Sequence, residues 1–170
     1  MASPAPFTDS GNFGVRRRKQ PLASEASRSM ASAGVSCVCS EVTRMARDAV
    51  KAVHDLGPRA ILVTSLHTQE TPEDAIDLLA SDASGCFRLR TPKLPLAVNG
   101  AGDAIAALFF AHYLRTGKIE EALARAASSI FGVLAKTAES GSREIQLIAA
   151  QDEIVAPSRV FEAEKLEPAV

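Results

Sequence analysis

The chain has 170 residues, of which 46% are hydrophobic and 23% charged, enough apolar material for one ordinary core. Its formal net charge of −1 provides no global field to attract nucleic acid or an anionic membrane. No apolar run is long enough to span a bilayer. The three cysteines, Cys37, Cys39 and Cys86, make an odd set without a C-x-x-C pair, so free thiols in a reducing cytoplasm are expected.

Residues 1–40 are rich in Ser, Ala and Arg, poor in acids, and without helical or strand periodicity. They predict a disordered or non-native leader ahead of an ordered segment, 41–170. An acid-poor, Arg- and Ser-rich start also has the composition of an organelle transit peptide, but the amphipathic face of one is missing. The basic cluster Arg16-Arg17-Arg18-Lys19 is confined to this stretch, and four basic residues are a weak basis for nucleic-acid contact.

From residue 41 the pattern changes. Val42, Met45, Ala46, Ala49, Val53 and Leu56 recur at helical spacing, and Gly57-Pro58 supplies the stop. "AILVTSL" (60–66) is a short apolar, β-branched run, read as a buried strand. "DAIDLLAS" and "GCFRLR" alternate around a turn near Ser81–Gly85 and predict a β-hairpin. A helix follows from about Gly102 to Thr116, apolar nearly all round and therefore expected to be buried on several sides, with Phe109 and Phe110 in the core. Gly117 ends it. A second helix, about 119–138, carries Ile119, Leu123, Ala126, Ala127, Ile130, Val133 and Leu134 on one face. One short strand, Glu144–Ile148, precedes an irregular end. This order is α/β and reads as part of a sheet.

The junction Asn99-Gly100-Ala101-Gly102-Asp103 carries the chemistry. The first turn of a helix leaves backbone N–H groups unpaired and holds the positive end of the helix dipole. Glycine there lets an anion approach the backbone closely. A carboxylate beside a bound phosphate is repulsive unless it has a task, such as accepting a proton from an attacking hydroxyl. The alternative is an Asp103 that only complements the dipole, and spacing alone leaves both open. There is no Walker A sequence, and Ile105 stands where the dinucleotide fingerprint needs its third glycine. His54 on the first helix, His67 after the strand and His112 in the apolar helix have no metal spacing. Of these, His67 is the one near enough to the strand end to approach a phosphate. Cys86 reads as a small core residue.

Three stretches resemble a known family. "NGAGDAIAALFFA" is similar to the G-x-G-D signature of the ribokinase-like superfamily, small-molecule kinases with a three-layer α/β fold. "GPRAILVTSL" resembles the strand that borders the nucleotide in pyridoxal kinases, and "EIQLIAAQDEIVAPSRVFEAEKL" resembles their C-terminal segment. Together with "RTPKLPLAVNGAGD" and in one order, they extend the resemblance over residues 41–166, and G-x-G-D by itself is specific only to the superfamily. The resemblance implies ATP-dependent phosphorylation of the 5′-hydroxyl of pyridoxal, with pyridoxine and pyridoxamine as further substrates. By position it makes Asp103 the base and substrate contact, and the N–H groups of Gly100, Ala101 and Gly102 the anion hole. Thr64 and Ser65 match residues near the ATP phosphates, Thr64 also near a monovalent cation (K⁺ or Na⁺). Thr91, Pro92, Lys93 and Leu94 match the segment bordering the nucleotide. Mg²⁺ would bridge the phosphates, with no side-chain ligand for it singled out in this chain. Ala101 lacks a hydroxyl some relatives carry, which matters little where a backbone N–H makes the contact.

The resemblance also implies a cytoplasmic homodimer without nucleic-acid or membrane partners. In the family an N-terminal half carries most of the vitamin pocket, its lid and acidic residues near Mg²⁺, and residues 1–40 show none of those patterns. The chain is therefore expected to correspond to the C-terminal, nucleotide-binding half of the kinase fold: strands, a hairpin and two long helices. The alternative is a truncated nucleotide-binding fragment without chemistry, or a structural partner of a full-length homologue.

Overall fold

The computed structural model of the chain describes residues 38–167. In order, the elements are α1 (Val38–His54), β1 (Ile61–Leu66), β2 (Ala75–Asp82), β3 (Gly85–Pro92), α2 (Ala101–Thr116), α3 (Ile119–Ser140), α4 (Gln151–Val155) and β4 (Glu164–Lys165). Most of the leader expected over 1–40 lies outside the described residues. α1 begins at Val38, ahead of the residue 41 at which the sequence pattern changes.

Among the described residues four strands form one sheet in the order β1-β2-β3-β4, every neighbour antiparallel. The hairpin pairs Ala75 with Pro92 at its open end and Asp82 with Gly85 at its turn. Gly85 has φ 141°, a conformation an L side chain rarely adopts, which explains the glycine there. Strand alternation then sorts the side chains. Leu78, Ala80, Phe87 and Leu89 face α2 and α3 and join Ile105, Phe109, Ala122, Leu123 and Ala126 in the core. On the opposite face, Ser81 Oγ meets His54 Nε2 of α1 at 3.1 Å. The described part is thus three layers: α1, the sheet, and the α2–α3 pair.

α3 carries the expected face inward: Ile119, Leu123, Ala126, Ala127, Ile130 and Val133 are all buried. α2 is different from its expectation. Ala104, Ile105 and Phe109 are buried, but Phe110 is 62% and Leu114 69% exposed. The helix packs on α3 through one stripe, and no other described element covers its far side, so Phe110 is not a core residue. β1 is likewise half-exposed rather than buried, because it pairs only with β2 and its outer edge has no partner among the described residues.

α1 also presents an unexpected face. Met45, Val53 and Leu56, expected on the apolar stripe, are exposed, while Val50 is buried. His54, three to four residues further on, is half-buried and bonds both Ser81 Oγ and, through Nδ1, the carbonyl of Pro58 at 2.9 Å. It ties the layer and its following loop together instead of sitting on an outer surface.

The strand expected at Glu144–Ile148 reduces to one parallel bridge, Asn99 to Glu144. Just beyond, the Gln146 N–H is drawn to Thr137 Oγ1 at 3.1 Å, and the chain turns into α4. From there it runs back across α3. The buried Glu153 carboxylate accepts the Ser158 N–H at 2.8 Å and faces Lys136 at 3.6 Å. The Ser128 hydroxyl accepts the Phe161 N–H at 2.9 Å, and the segment ends paired to β3 as β4.

Gly132 is a point on α3 where this returning segment comes close. A Cβ built there would clash with the Glu153 carboxylate. Overpacking of this kind costs about 1–3 kcal/mol. Gly132→Ala is therefore expected to lower the Tm measurably despite the better helix propensity of alanine, whereas Gly132→Ala combined with Glu153→Ala should recover part of the loss. Thermal melts of the two variants against the parent check this.

Candidate functional site

A cavity of about 300 Å³ opens between the sheet face and the α2–α3 pair. Thr64 and Ser65 line it from β1, Thr91 and Pro92 from the end of β3, Leu94 from the following loop, and Ala101 and Gly102 from the start of α2. Seven of the residues singled out by sequence thus border one space. Gly100, Asp103 and Lys93 do not line it. Gly100 and Asp103 are exposed at the same helix start, and Lys93 is exposed with its backbone N–H bonded to the Asp74 carbonyl at 2.7 Å. His67 is exposed and outside the cavity lining.

The lining combines polar and apolar groups. Two of the polar ones come from β1, where the pairing register shifts between Val63 and Leu66. Inside that irregularity Ser65 has φ 55°, the left-handed region, and it is the one non-glycine residue with positive φ among those described. Bulges re-aim side chains, and a strained backbone of this kind clusters at ligand sites. Here Thr64 and Ser65 both reach the cavity. Opposite them α2 starts at Ala101 behind Gly100, with φ 86° and no side chain capping the helix. The first-turn N–H groups are therefore left open there.

The two glycines of the junction serve different ends. Gly100 is required by the fold: its φ is positive, and a Cβ would lie 3.1 Å from Ile145 Cγ2. The neighbouring Asn99 fixes this contact, its carbonyl accepting the Ile145 N–H at 3.3 Å and its N–H donating to Arg143 O at 2.9 Å. Gly102 is not required in this way. Its backbone is helical and a Cβ would meet nothing within 4 Å.

The rest of the lining is apolar. Ile76 and Leu78 of β2, Val98 before α2, Ile105 of α2, and Ile130, Phe131 and Leu134 of α3 contribute to it. Sequence reading placed these residues in the core or left them unremarked, and nothing in their type separates a cleft wall from a core. Such a space, apolar with a few converging polar groups, is the usual form of a small-molecule site. Among the described residues no cluster of three or more His, Cys, Asp or Glu side chains is placed to hold a metal ion.

A network on the opposite face of the sheet holds the site's frame. Asp77, 1% exposed, sits directly across from Arg90. Arg90 donates from Nε to Oδ1 at 2.7 Å and from Nη2 to Oδ2 at 2.8 Å, and the Thr71 hydroxyl adds a third bond at 2.8 Å. Burial works to raise the Asp77 pKa, but the Arg90 and Thr71 bonds and the charges of Arg90 and Arg88 outweigh it, so the carboxyl titrates below its usual value. Arg88 adds pairs to Glu70 and Glu164, each at 3.2 Å. None of these residues was singled out by sequence, although a lone Asp and two Arg in facing strands of a predicted hairpin carried the signal.

With the geometry in view, the likeness to solved structures gives the class of fold: ribokinase-like α/β. The chain belongs to the phosphomethylpyrimidine kinase family, whose model matches residues 33–147. A pyridoxal kinase, PdxY, of Granulibacter bethesdensis is 51% identical over 123 residues, which is 70% of this chain and 43% of that protein. The chain thus spans less than half the length of that relative. Among solved structures, a putative phosphomethylpyrimidine kinase of Bacteroides thetaiotaomicron has a TM-score of 0.64 at 17% identity, covering 73% of this chain and 43% of its own. The Leishmania donovani pyridoxal kinase in complex with ADP and pyridoxine has a TM-score of 0.63 at 21% identity, covering 73% and 44%. The resemblance to pyridoxal kinases read from the sequence, and the fold it implied, are borne out.

The Asp77 network generates a prediction. A carboxyl held below its unfolded pKa stabilises the fold above the ordinary carboxylate range and loses that contribution as pH falls through the folded pKa. Denaturation midpoints should therefore fall on acidification below about pH 4, and Asp77→Asn should flatten that dependence. Arg90→Ala leaves a buried carboxylate without its partner and should cost about 3–5 kcal/mol at pH 7. Urea titrations at several pH values measure both.

Proposed function

We propose that this chain supplies the nucleotide-binding and base-bearing part of an ATP-dependent pyridoxal kinase, transferring the γ-phosphoryl group to the 5′-hydroxyl of pyridoxal. The observation that carries the reading is Gly102, a glycine in the first turn of a 16-residue helix, facing the cleft with open space over its Cα. Glycine inside a helix costs up to about 1 kcal/mol relative to alanine. No protein contact or backbone angle accounts for it here, and the close approach of a ligand does.

In this reading the terminal phosphates of ATP lie against the open N–H groups of Gly100, Ala101 and Gly102. Thr64 and Ser65 complete the cradle from the bulge in β1. Thr91, Pro92 and Leu94 border the nucleotide, with the backbone of Lys93 holding their loop to Asp74. Asp103, in the same helical turn, takes the proton from the 5′-hydroxyl as its oxygen bonds to the γ-phosphorus. The bond from that phosphorus to the bridging oxygen breaks, and ADP leaves with the electron pair. Mg²⁺ would neutralise charge on the phosphates. A monovalent cation, K⁺ or Na⁺, is placed near Thr64.

The similarity to pyridoxal kinases and the solved complexes with ADP and pyridoxine support these assignments, with pyridoxine and pyridoxamine as further substrates. The boundary between leader and kinase segment is placed near residue 40. A homodimer in the cytoplasm completes the proposal. No helix among the described residues is long and apolar enough to cross a membrane, and Cys86 is a free thiol.

Two variants of the full chain test the site. Gly102→Ala should leave the Tm equal or raise it, while weakening Mg-ATP binding by calorimetry, because the added methyl occupies the approach to the helix start. Asp103→Asn should keep nucleotide affinity the same or better and cut formation of pyridoxal 5′-phosphate by about 10²–10⁴-fold, followed by absorbance. An Asn variant that turns over at the parental rate would remove Asp103 from the chemistry.

A further inference from the structure

The segment that returns across α3 reaches the wall of the cleft at one point. Phe131 lines the cavity from α3. Its ring also meets Phe161 of the returning segment edge-to-face, with centroids 5.0 Å apart and planes at 73°. The guanidinium of Arg159 lies over both rings, 4.9 Å from the Phe161 centroid and 5.5 Å from that of Phe131. Arg159 is itself exposed and forms no salt bridge among the described residues, so these rings are its contact.

We propose that Arg159 is a positioning residue for the nucleotide: it pins Phe131 so that the ring presents a fixed apolar surface to the planar base. This rests on the nucleotide reading given above, which puts the phosphates against Thr64, Ser65 and Gly102. The base then lies against the apolar lining, to which Phe131 of α3 contributes the one aromatic side chain.

Three features make the assignment specific to Arg159. The segment on either side is anchored independently of the two rings: before Arg159 the Ser158 N–H donates to the Glu153 carboxylate, and after it the Phe161 N–H donates to Ser128 Oγ. The backbone therefore keeps its course when the guanidinium is removed. Phe131 is half-buried, so its ring has room to turn toward the solvent side of the cleft unless something holds it. A guanidinium stacks on an aromatic face as well as attracting it, which an ammonium does not reproduce.

The experiment compares two ligands on the full chain: Mg-ATP, and Mg-tripolyphosphate, which has the phosphates and no base. Calorimetry on the parent should show ATP binding more tightly than tripolyphosphate. Arg159→Ala should weaken ATP about three- to tenfold, in line with one exposed-to-desolvated cation–π contact, and leave tripolyphosphate unchanged. Arg159→Lys should fall between the two. Phe131→Leu should reproduce the Arg159→Ala loss, and the double variant should add little to it. Melting curves of each variant are taken alongside, and a Tm within a degree or two of the parent is expected for Arg159→Ala.

The inference is overturned if Arg159→Ala binds ATP like the parent, or if it loses ATP and tripolyphosphate in equal proportion, the mark of general unfolding. A parent that binds tripolyphosphate and ATP equally would sink the base contact while leaving the phosphate cradle standing. A parent that binds neither would remove the nucleotide reading and this one together.

Discussion

The bidentate pair of Asp77 and Arg90 is the constraint on which the cleft depends. It lies on the face of the sheet turned away from the cavity, yet it sets which residues the cavity sees. Asp77 and Arg90 are directly opposed, so Ile76 and Thr91, one step along each strand, are opposed on the other face. A slip of one residue in this hairpin would exchange the faces and carry Ile76, Leu78 and Thr91 away from the cleft. Such a slip would also bury an unpaired carboxylate, a far larger penalty than a mismatched apolar contact. The same carboxylate accepts the Thr71 hydroxyl, and Thr71 in turn receives the Thr68 N–H at 3.0 Å. The loop leaving the β1 bulge is thus tied to the pair that fixes the hairpin, and both polar walls of the site share one anchor.

The start of α2 shows how one short motif divides its tasks. Gly100 and Gly102 are indistinguishable as letters, and the sequence argument treated them alike as places where an anion meets the backbone. In the fold Gly100 is held by left-handed geometry and by the approach of Ile145, so its conservation of shape belongs to the protein's own packing. Gly102 faces open space with an ordinary helical backbone, so no contact among the described residues requires a glycine there, and the proposed function takes it as room for a ligand. Asp103 shares that turn without entering the cavity lining.

Long, strongly patterned elements were legible from sequence for physical reasons: α3 by its single apolar face, the hairpin by alternation and Gly85, and α2 by Gly117 at its end. The α/β class followed from their order. Faces were harder to read. α1 turns Val50 and His54 inward and leaves Met45 and Leu56 in solvent, because the sheet meets the helix on the side where His54 bonds Ser81, and the side bearing Met45 and Leu56 stays exposed. Phe110 was assigned to the core because α2 is apolar all round, but composition cannot say whether a neighbour exists on each side. The strand expected near Glu144 failed where Thr137 Oγ1 captured the backbone of Gln146. Of the candidate site, the polar residues were found through motif and resemblance. The apolar wall was not, since Ile130 and Leu134 carry the same signal whether they border a ligand or another leucine.

This asymmetry follows from how the two parts of the lining are built. The polar part of the lining consists of a helix start and two hydroxyls, which need a glycine and a bulge, all of which leave marks in a sequence. The apolar part is assembled from β2, α2 and α3, elements far apart in the chain, and its outer support comes from the returning segment through Phe161 and Arg159. Backbone donors are the same for any phosphate and discriminate little between ligands that carry one. On the proposed reading, selection among nucleotides comes from the apolar lining, where side chains would meet the base. A wall braced from behind by a segment with its own anchors can hold one shape while the strands and helices in front of it keep the packing the core demands.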